Sequence, residues 1–152
     1  MVAALTEFSW GVYLGQQEGP QISAEMMAIH AAWGRGETHV APRDGESPDA
    51  VWARLQTGLF PLLQAHADAT IAVVAHGRLN KILLSGLMHR GDLSRQQQFR
   101  QANTSVSLLS CDAHAVPAGP WTLHYENDRA HVANDPELGG DDSAESDRPP
   151  LV

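Results

Sequence analysis

Residues 70–78 combine a short apolar run with a histidine and a glycine, and this stretch constrains the fold more than any other. Residues 70–75 are uncharged and rich in β-branched side chains, which is typical of a strand buried on both faces of a parallel sheet. Apolar residues then recur at helical spacing, at Leu79, Ile82, Leu83 and Leu87. The sequence therefore predicts an α/β fold in which a buried strand ends at His76-Gly77 and leads directly into a helix.

His76 lies where the predicted strand ends and the predicted helix begins. The first amides of a helix point outward and the helix dipole adds partial positive charge, so this position favours an anionic ligand. Ligands of open α/β sheets also bind outside the carboxyl ends of the strands. Two interpretations stay open from this pattern alone. His76 either belongs to a binding or catalytic site, or it is a strand-end histidine that bonds to a backbone carbonyl.

A second candidate residue, Glu7, lies in a stretch with neither helical nor strand periodicity. Residues 5–15 mix aromatic and apolar side chains with Gly11 and Gly15, which predicts an ordered loop with unusual backbone angles. A lone glutamate in such a loop is usually solvated. A carboxyl group and a strand-end histidine are together suited to an anionic group, because the histidine stabilises charge and the carboxyl gives or takes a proton.

Helix signals surround these two candidates. An apolar stripe at helical spacing predicts a helix from about Ser23, whose hydroxyl is expected to cap it, to Gly34. Ser47 and Pro48 predict the start of a second helix. Pro61 lacks an amide hydrogen and should kink this helix or end it early.

The carboxyl-terminal half adds a short helix and two strands. Asp92 is predicted to cap a short polar helix. Residues 104–110 and 121–125 alternate polar and apolar, which predicts a hairpin of half-buried strands at one edge of the sheet. A single buried strand cannot form a parallel sheet by itself. Either this hairpin supplies the neighbours of the strand at 70–76, or strands are missing.

Length and composition favour one globular domain. The chain has 152 residues, of which 43% are hydrophobic and 18% charged. We assign residues 1–133 to this domain, since 152 residues are too few for two ordinary ones. Residues 134–152 contain six acids, one arginine and little to bury, which predicts a disordered acidic tail.

Charge and cysteine usage exclude several classes of partner. The net charge is −8 and no basic stripe is present, so we expect no nucleic-acid partner. We find no signal peptide, and no apolar run approaches the roughly 20 residues of a membrane span. Cys111 is the single cysteine and fits a reducing compartment. We therefore expect a soluble, cytoplasmic protein with no membrane partner.

Metal and cofactor motifs are missing from the sequence. The eight histidines form no HxH or HxxxH pair, and one cysteine supplies no thiolate set. Neither a Gly-x-Ser-x-Gly turn nor a Walker-type phosphate loop is present. We expect no metal and no cofactor.

Five short motifs, in order and with fitting spacing, resemble those of the histidine phosphatase superfamily, the phosphoglycerate-mutase-like enzymes. They are Glu7-Phe8-Ser9-Trp10-Gly11-Val12-Tyr13-Leu14-Gly15, Asp44-Gly45-Glu46-Ser47, Val73-Val74-Ala75-His76-Gly77, Asn103-Thr104-Ser105-Val106 and Asn127-Asp128-Arg129-Ala130-His131. Ala75 stands where the family has serine. Each motif is weak alone, but the five together cover about residues 5–132.

The resemblance implies a three-layer α/β/α sandwich and a phosphate-ester hydrolase or mutase. In that family, a histidine of an Arg-His-Gly motif attacks the phosphoryl group, two arginines and a second histidine hold the phosphate, and an acid protonates the leaving oxygen. Carried over by position, Glu7 would be the acid and His76 the second histidine. Gly77 would offer a backbone amide to the phosphate. The implied substrate is a phosphorylated small molecule or a phosphoprotein.

The resemblance also implies parts that residues 1–152 lack. The Arg-His-Gly motif belongs before the Glu7 loop, on a central strand beside the His76 strand, and neither it nor the phosphate arginines are found here. We therefore expect an N-terminally truncated domain, inactive alone. The alternative is a non-catalytic pseudophosphatase that acts as a binding or interaction module. In either case a second copy or a partner chain could complete the sheet.

Overall fold

The computed structural model describes residues 2–17 and 19–134, so the predicted acidic tail beyond Asn134 lies outside the described residues. Four α-helices and two β-strands organise this part of the chain. They are α1 (Pro20–Gly34), α2 (Pro48–Gly58), α3 (Phe60–Ala65), α4 (Gly77–Met88), β1 (Val106–Cys111) and β2 (Trp121–Asp128). A 3-10 helix at Leu93–Gln98 connects α4 to β1. None of the helices in the described part of the chain is long and apolar enough to cross a membrane.

The helix starts follow from local chemistry. Ser47 caps α2, because its hydroxyl accepts a hydrogen bond from the Ala50 amide at 3.2 Å, as predicted. The helix is interrupted between α2 and α3, near Pro61, which confirms the predicted interruption. The predicted start of α1 at Ser23 is wrong: the helix begins at Pro20, whose fixed φ suits a first helical position. The Ser23 amide instead makes the first helical bond, to the carbonyl of Gly19.

Helix α4 forms the centre of the core. Leu79 and Ile82 on this helix are fully buried, and they pack with Leu55 of α2 and Trp33 of α1. The inward side chains of the neighbouring extended segments also pack against this cluster. These partly buried neighbours are Val73, Ala75, Leu109 and Trp121.

The predicted hairpin is confirmed. Strands β1 and β2 pair in antiparallel fashion, with Leu109 opposite Leu123 and Cys111 opposite Trp121. Asp92 also caps the 3-10 helix as predicted, since its carboxylate accepts from the Ser94 amide at 3.0 Å. The described residues contain this two-stranded sheet and no other strand pairing.

The predicted buried strand at 70–76 is wrong in its pairing and its burial. Residues 70–76 form no ladder with any described strand, and Val74 is 88% exposed. An apolar, β-branched run favours extended backbone, but a strand needs a second backbone for its hydrogen bonds. The described chain therefore combines helices with a small antiparallel sheet and has no parallel sheet. The three-layer sandwich stays a prediction.

The loop that carries Glu7 packs closely against the start of α2. The Glu46 amide donates to the Ser9 carbonyl at 2.8 Å, and the Glu46 carboxylate accepts from the Ser9 amide at 3.0 Å. Gly11 has a φ of +57°, and a Cβ built there would lie 2.1 Å from the Arg43 carbonyl oxygen. The predicted unusual backbone of this loop is thus confirmed, and close approach explains the glycine.

Arg54 of α2 contacts both Glu46 and the loop that carries Glu7. Its Nε atom lies 2.8 Å from the Glu46 carboxylate, and its Nη2 atom donates to the carbonyls of Thr6 at 2.8 Å and Glu7 at 3.3 Å. The two side chains are only 20% and 25% exposed. We call this arrangement the Arg54–Glu46 clamp. It fixes the backbone immediately before and after Glu7.

Replacing Arg54 with methionine should lower the free energy of unfolding by about 1–3 kcal/mol, because several acceptors in a half-buried contact lose their donor. Chemical denaturation of the wild type and the variant measures this difference. The control is Arg35→Met, which removes an ion pair with Glu37 whose side chains are 61% and 45% exposed. That change should lower the free energy of unfolding far less, because an exposed ion pair contributes little to stability. Equal losses would show that the clamp adds nothing beyond a surface ion pair.

Asp92→Ala should lower the free energy of unfolding by about 1 kcal/mol at neutral pH, because a helix cap is lost. Hydrogen bonds from Ser94 hold the pKa of the Asp92 carboxyl below its ordinary value. A lowered folded pKa gives stability above the unfolded pKa of about 4, and this is lost as pH falls through the folded pKa. The difference between wild type and variant should therefore shrink in acid, as urea titrations at neutral and low pH would show. Asp92→Asn keeps an acceptor but cannot titrate. The difference in stability between Asp92→Asn and Asp92→Ala should therefore not change with pH.

Candidate active site

The structure brings together the two residues that the sequence singled out. The Nδ1 atom of His76 lies 3.4 Å from an Oε2 atom of Glu7, although the two residues are far apart in sequence. The imidazole side chain is 65% exposed and the carboxylate 34% exposed. The pair is therefore open to solvent and to a ligand.

The second oxygen of Glu7 is held by the loop itself. The Phe8 amide donates to Oε1 of Glu7 at 2.7 Å. Phe8 is buried and packs edge-on against Trp10 and Trp33, with ring centroids 4.8 and 5.6 Å away. The aromatic cluster thus fixes the backbone that orients the Glu7 carboxylate from one side, and the Arg54–Glu46 clamp fixes it from the other.

His76 is the residue immediately before α4. Its backbone is extended, its carbonyl accepts from the Asn80 amide at 2.9 Å, and its side chain does not cap the helix. The imidazole faces Glu7, which argues against the interpretation that it bonds to a backbone carbonyl. Gly77 is the first residue of α4. Its amide belongs to the first turn, whose N–H groups have no partner within the helix.

This arrangement can bind an anion and transfer a proton. A protonated imidazole and the outward amides of a helix start both stabilise negative charge. A carboxyl group within hydrogen-bonding reach of the same ligand can donate or accept a proton. The roles of Glu7, His76 and Gly77 stay predictions, and the geometry is compatible with them.

The nearby cation Arg78 lies inside the core. Arg78 is 3% exposed, and its guanidinium stacks over the rings of Trp10 and Trp33 at 5.3 and 5.8 Å. Its Nη2 atom lies 3.4 Å from Nε2 of His30. Because Arg78 packs among these rings, it supports the loop and helix behind the Glu7–His76 pair.

A separate cleft lies between the same loop and the start of α1. It has a volume of about 540 Å³, and the polar groups of Tyr13, Glu25 and Arg43 line it, whereas Glu7 and His76 do not. The Tyr13 hydroxyl donates to the Glu25 carboxylate. This bond lowers the pKa of Glu25 and raises that of Tyr13.

Asn127 of the carboxyl-terminal motif forms hydrogen bonds with residues near the start of β1. The side-chain oxygen of Asn127 accepts from the Ala102 amide at 2.7 Å, and the Asn127 amide donates to the Ser107 hydroxyl at 3.2 Å. Asn127 adopts a φ of +56°. The motif at 127–131 thus fastens the end of β2 to the segment before β1.

Sequence reasoning did not identify Arg54. Its importance depends on carbonyls of the Glu7 loop and on Glu46, and no local pattern around residue 54 indicates those partners. The available signal was the motif Asp44-Gly45-Glu46-Ser47, which contains the partner Glu46. Among the residues that the structure describes, no group of three or more histidine, cysteine or acidic side chains could hold a metal ion.

Several solved structures of mycobacterial proteins are similar to this chain. A solved mycobacterial glucosyl-3-phosphoglycerate phosphatase in complex with inorganic phosphate is 27% identical, with a TM-score of 0.66 over 85% of this chain and 64% of that chain. A structure described as mycobacterial hydrolase 1 is 25% identical, with a TM-score of 0.63 over 84% of this chain and 64% of that chain. Mycobacterial hydrolase 2 is 25% identical, with a TM-score of 0.65 over 87% of this chain and 60% of that chain. This chain therefore spans less than two thirds of the length of these structures.

The curated proteins contain no match to this chain. The model of one protein family does match, over residues 1–124, and its description is the histidine phosphatase superfamily, branch 1. This match covers most of the chain and includes both members of the Glu7–His76 pair. The chain therefore belongs to the histidine phosphatase superfamily.

Proposed function

We propose that this chain contributes the acid and one phosphate-binding histidine to a phosphate-ester hydrolase site. His76 binds the phosphoryl group and stabilises its charge, Gly77 donates its amide to a phosphate oxygen, and Glu7 protonates the leaving oxygen. The contact between Nδ1 of His76 and the Glu7 carboxylate at 3.4 Å supports this proposal most directly. It joins two family motifs at one exposed point.

The geometry of the pair supports these separate roles for His76, Gly77 and Glu7. The imidazole offers an N–H to an anionic oxygen, and the start of α4 adds a second donor from the backbone. The Glu7 carboxyl is fixed by the Phe8 amide, so it can present its other oxygen to a leaving group without reorganising the loop. Preorganised groups of this kind lower the barrier because they need not move as charge develops.

The substrate that we propose is a phosphorylated small molecule or a phosphoprotein. Its cleavable group is a phosphate ester, since both proposed donors favour an anion and Glu7 favours an oxygen leaving group. One similar solved protein is a glucosyl-3-phosphoglycerate phosphatase in complex with inorganic phosphate. This likeness supports a phosphate ester as the substrate class.

We propose that residues 1–152 alone do not turn over substrate. The sequence contains no Arg-His-Gly tripeptide, and the family mechanism assigns the nucleophile to that motif. The full catalytic domain would then be the three-layer sandwich that the resemblance implies. The same observation favours a second candidate, a pseudophosphatase that uses the Glu7–His76 pair for binding.

The activity test compares residues 1–152 with a form extended upstream to include an Arg-His-Gly segment, using p-nitrophenyl phosphate. We expect turnover only in the extended form. In that form, Glu7→Gln and His76→Asn should each lower kcat about 10²–10⁴-fold, because each removes a group that acts on the transition state. Glu25→Gln, which changes an acid outside the pair, is the matched control and should keep activity.

Either of two results would contradict the proposal. Robust hydrolysis by residues 1–152, abolished by His76→Ala, would show that the chain is complete for catalysis. Inactivity of both forms, with residues 1–152 folded, would favour the pseudophosphatase.

Phosphate binding offers a test that does not need turnover. Adding inorganic phosphate to residues 1–152 should shift the NMR signals of the His76 ring and the Gly77 amide, because both donors contact the anion. His76→Asn should weaken this response, whereas His114→Asn, a change in an exposed histidine elsewhere, should not. Unchanged signals in the wild type at millimolar phosphate would argue against a phosphate site at this pair.

A further inference from the structure

A second cleft lies at the other end of α4 from the Glu7–His76 pair. It has a volume of about 440 Å³ and is lined by residues of α2, α3 and α4 and of the turn that joins β1 to β2. Leu87, which lines it, comes ten residues after the first residue of α4, or about 15 Å along the helix. We call it the Trp52–Arg90 cleft, after two of its side chains. It is separate from the candidate active site.

Aromatic rings form one wall of the Trp52–Arg90 cleft. Trp52 and Phe60 pack edge to face, with ring centroids 5.2 Å apart. The Trp52 ring also lies directly on the backbone of α4, since a Cβ built at Gly86 would be 2.2 Å from its Cζ3 atom. The glycine permits this contact, and the contact fixes the position of the indole.

The turn between β1 and β2 forms a second wall. Nε1 of Trp121 donates to the Pro117 carbonyl at 2.8 Å, and the Gly119 amide donates to the Ala115 carbonyl at 2.8 Å. Gly119 has a φ of +85°, which glycine adopts without strain. Because its own hydrogen bonds hold the turn, the cleft is preformed, as sites for small molecules usually are.

Arg90 supplies the only charge among the described residues that line this cleft, although the chain has a net charge of −8. Arg90 is exposed, and neither its guanidinium nor the Trp52 indole N–H bonds to another residue in the described part of the chain. A Cβ built at Gly91 would be 3.9 Å from Nε1 of Trp52, so the indole N–H lies at the Arg90 end of the cleft. Two donors without an intramolecular acceptor thus border the aromatic wall.

We propose that the Trp52–Arg90 cleft binds a small molecule that carries one flat aromatic ring and one carboxylate. The carboxylate accepts hydrogen bonds from the Arg90 guanidinium and from the Trp52 indole N–H. Guanidinium donors match the planar geometry of a carboxylate. The ring of the ligand packs against Trp52 and Phe60, since aromatic rings favour edge-to-face and offset contacts.

Charge and size select this class of ligand. A carboxylate carries one negative charge and matches the single cation of the lining. A phosphate ester carries up to two, and the second would lie beside the negative end of the α4 dipole without a partner. The volume of about 440 Å³ lies within the range of roughly 300–1,000 Å³ that is typical of small-molecule sites.

The test is an NMR titration of residues 1–152 with 3-phenylpropionate as probe. We expect saturable shifts of the Trp52 indole N–H and of the Arg90 and Gly91 amides at low millimolar probe. Trp52→Phe identifies the indole signal, because it removes that signal alone from the tryptophan region.

Two analogues separate the contributions of charge and ring. 3-Phenylpropanamide keeps the ring without the charge, and hexanoate keeps the charge without the ring. Each should bind about tenfold more weakly than 3-phenylpropionate, because one lacks charge-assisted hydrogen bonds and the other lacks aromatic contacts.

Two exposed arginines provide matched protein variants. Arg90→Gln should weaken binding of 3-phenylpropionate about tenfold, because the charged donor is lost. Arg43→Gln removes a cation from the other cleft, beside Tyr13 and Glu25, and should leave binding unchanged. Circular dichroism of both variants should match the wild type.

Four outcomes would overturn the proposal. The absence of a saturable shift at the Trp52 indole would show that the cleft takes no such ligand. Equal binding of 3-phenylpropanamide would show that the charge is not recognised. Equal losses in Arg90→Gln and Arg43→Gln would show general attraction of anions. A larger response of the Trp52 indole to inorganic phosphate than to 3-phenylpropionate would show a phosphate site.

Discussion

Burial of helix α4 is the constraint on which the rest of the structure depends. Leu79 and Ile82 are fully buried, and each contributes about 1.5–3 kcal/mol relative to exposure. Inward residues of both the 70–76 segment and the hairpin pack against the hydrophobic cluster to which these two residues belong. Because α4 is fixed in the core, the residue that precedes it, His76, is fixed at the site.

The Glu7 side of the site depends on a different kind of contact. Phe8 packs against Trp10 through non-directional apolar contact. Arg54 and Glu46, in contrast, hold the loop backbone through directional hydrogen bonds. A guanidinium can serve several acceptors in a fixed fork, which suits a loop without regular structure. The Glu7–His76 contact thus joins a helix start fixed by the core to a loop fixed by polar contacts.

Local signals in the sequence predicted most of the elements. Ser47, Pro61 and Asp92 act where they were predicted to act, because caps and helix breaks depend on a few neighbouring residues. Glu7 and His76 were identified as a pair through their chemistry and the family motifs, and the structure places them in contact. Arg54 was not predicted, because its partners lie on a distant loop. The buried state of Arg78 also has no local signal, since it depends on the rings around it.

The sequence by itself determined the family, the helices and the hairpin, because motif spacing and periodicity are properties of neighbouring residues. Only the tertiary structure decided what becomes of residues 70–76. Their composition favours a buried strand, but pairing requires a second backbone at the right distance, and the described chain provides none. The tertiary structure also decided that Glu7 faces His76, because that contact depends on how a loop and a helix start pack around the shared core.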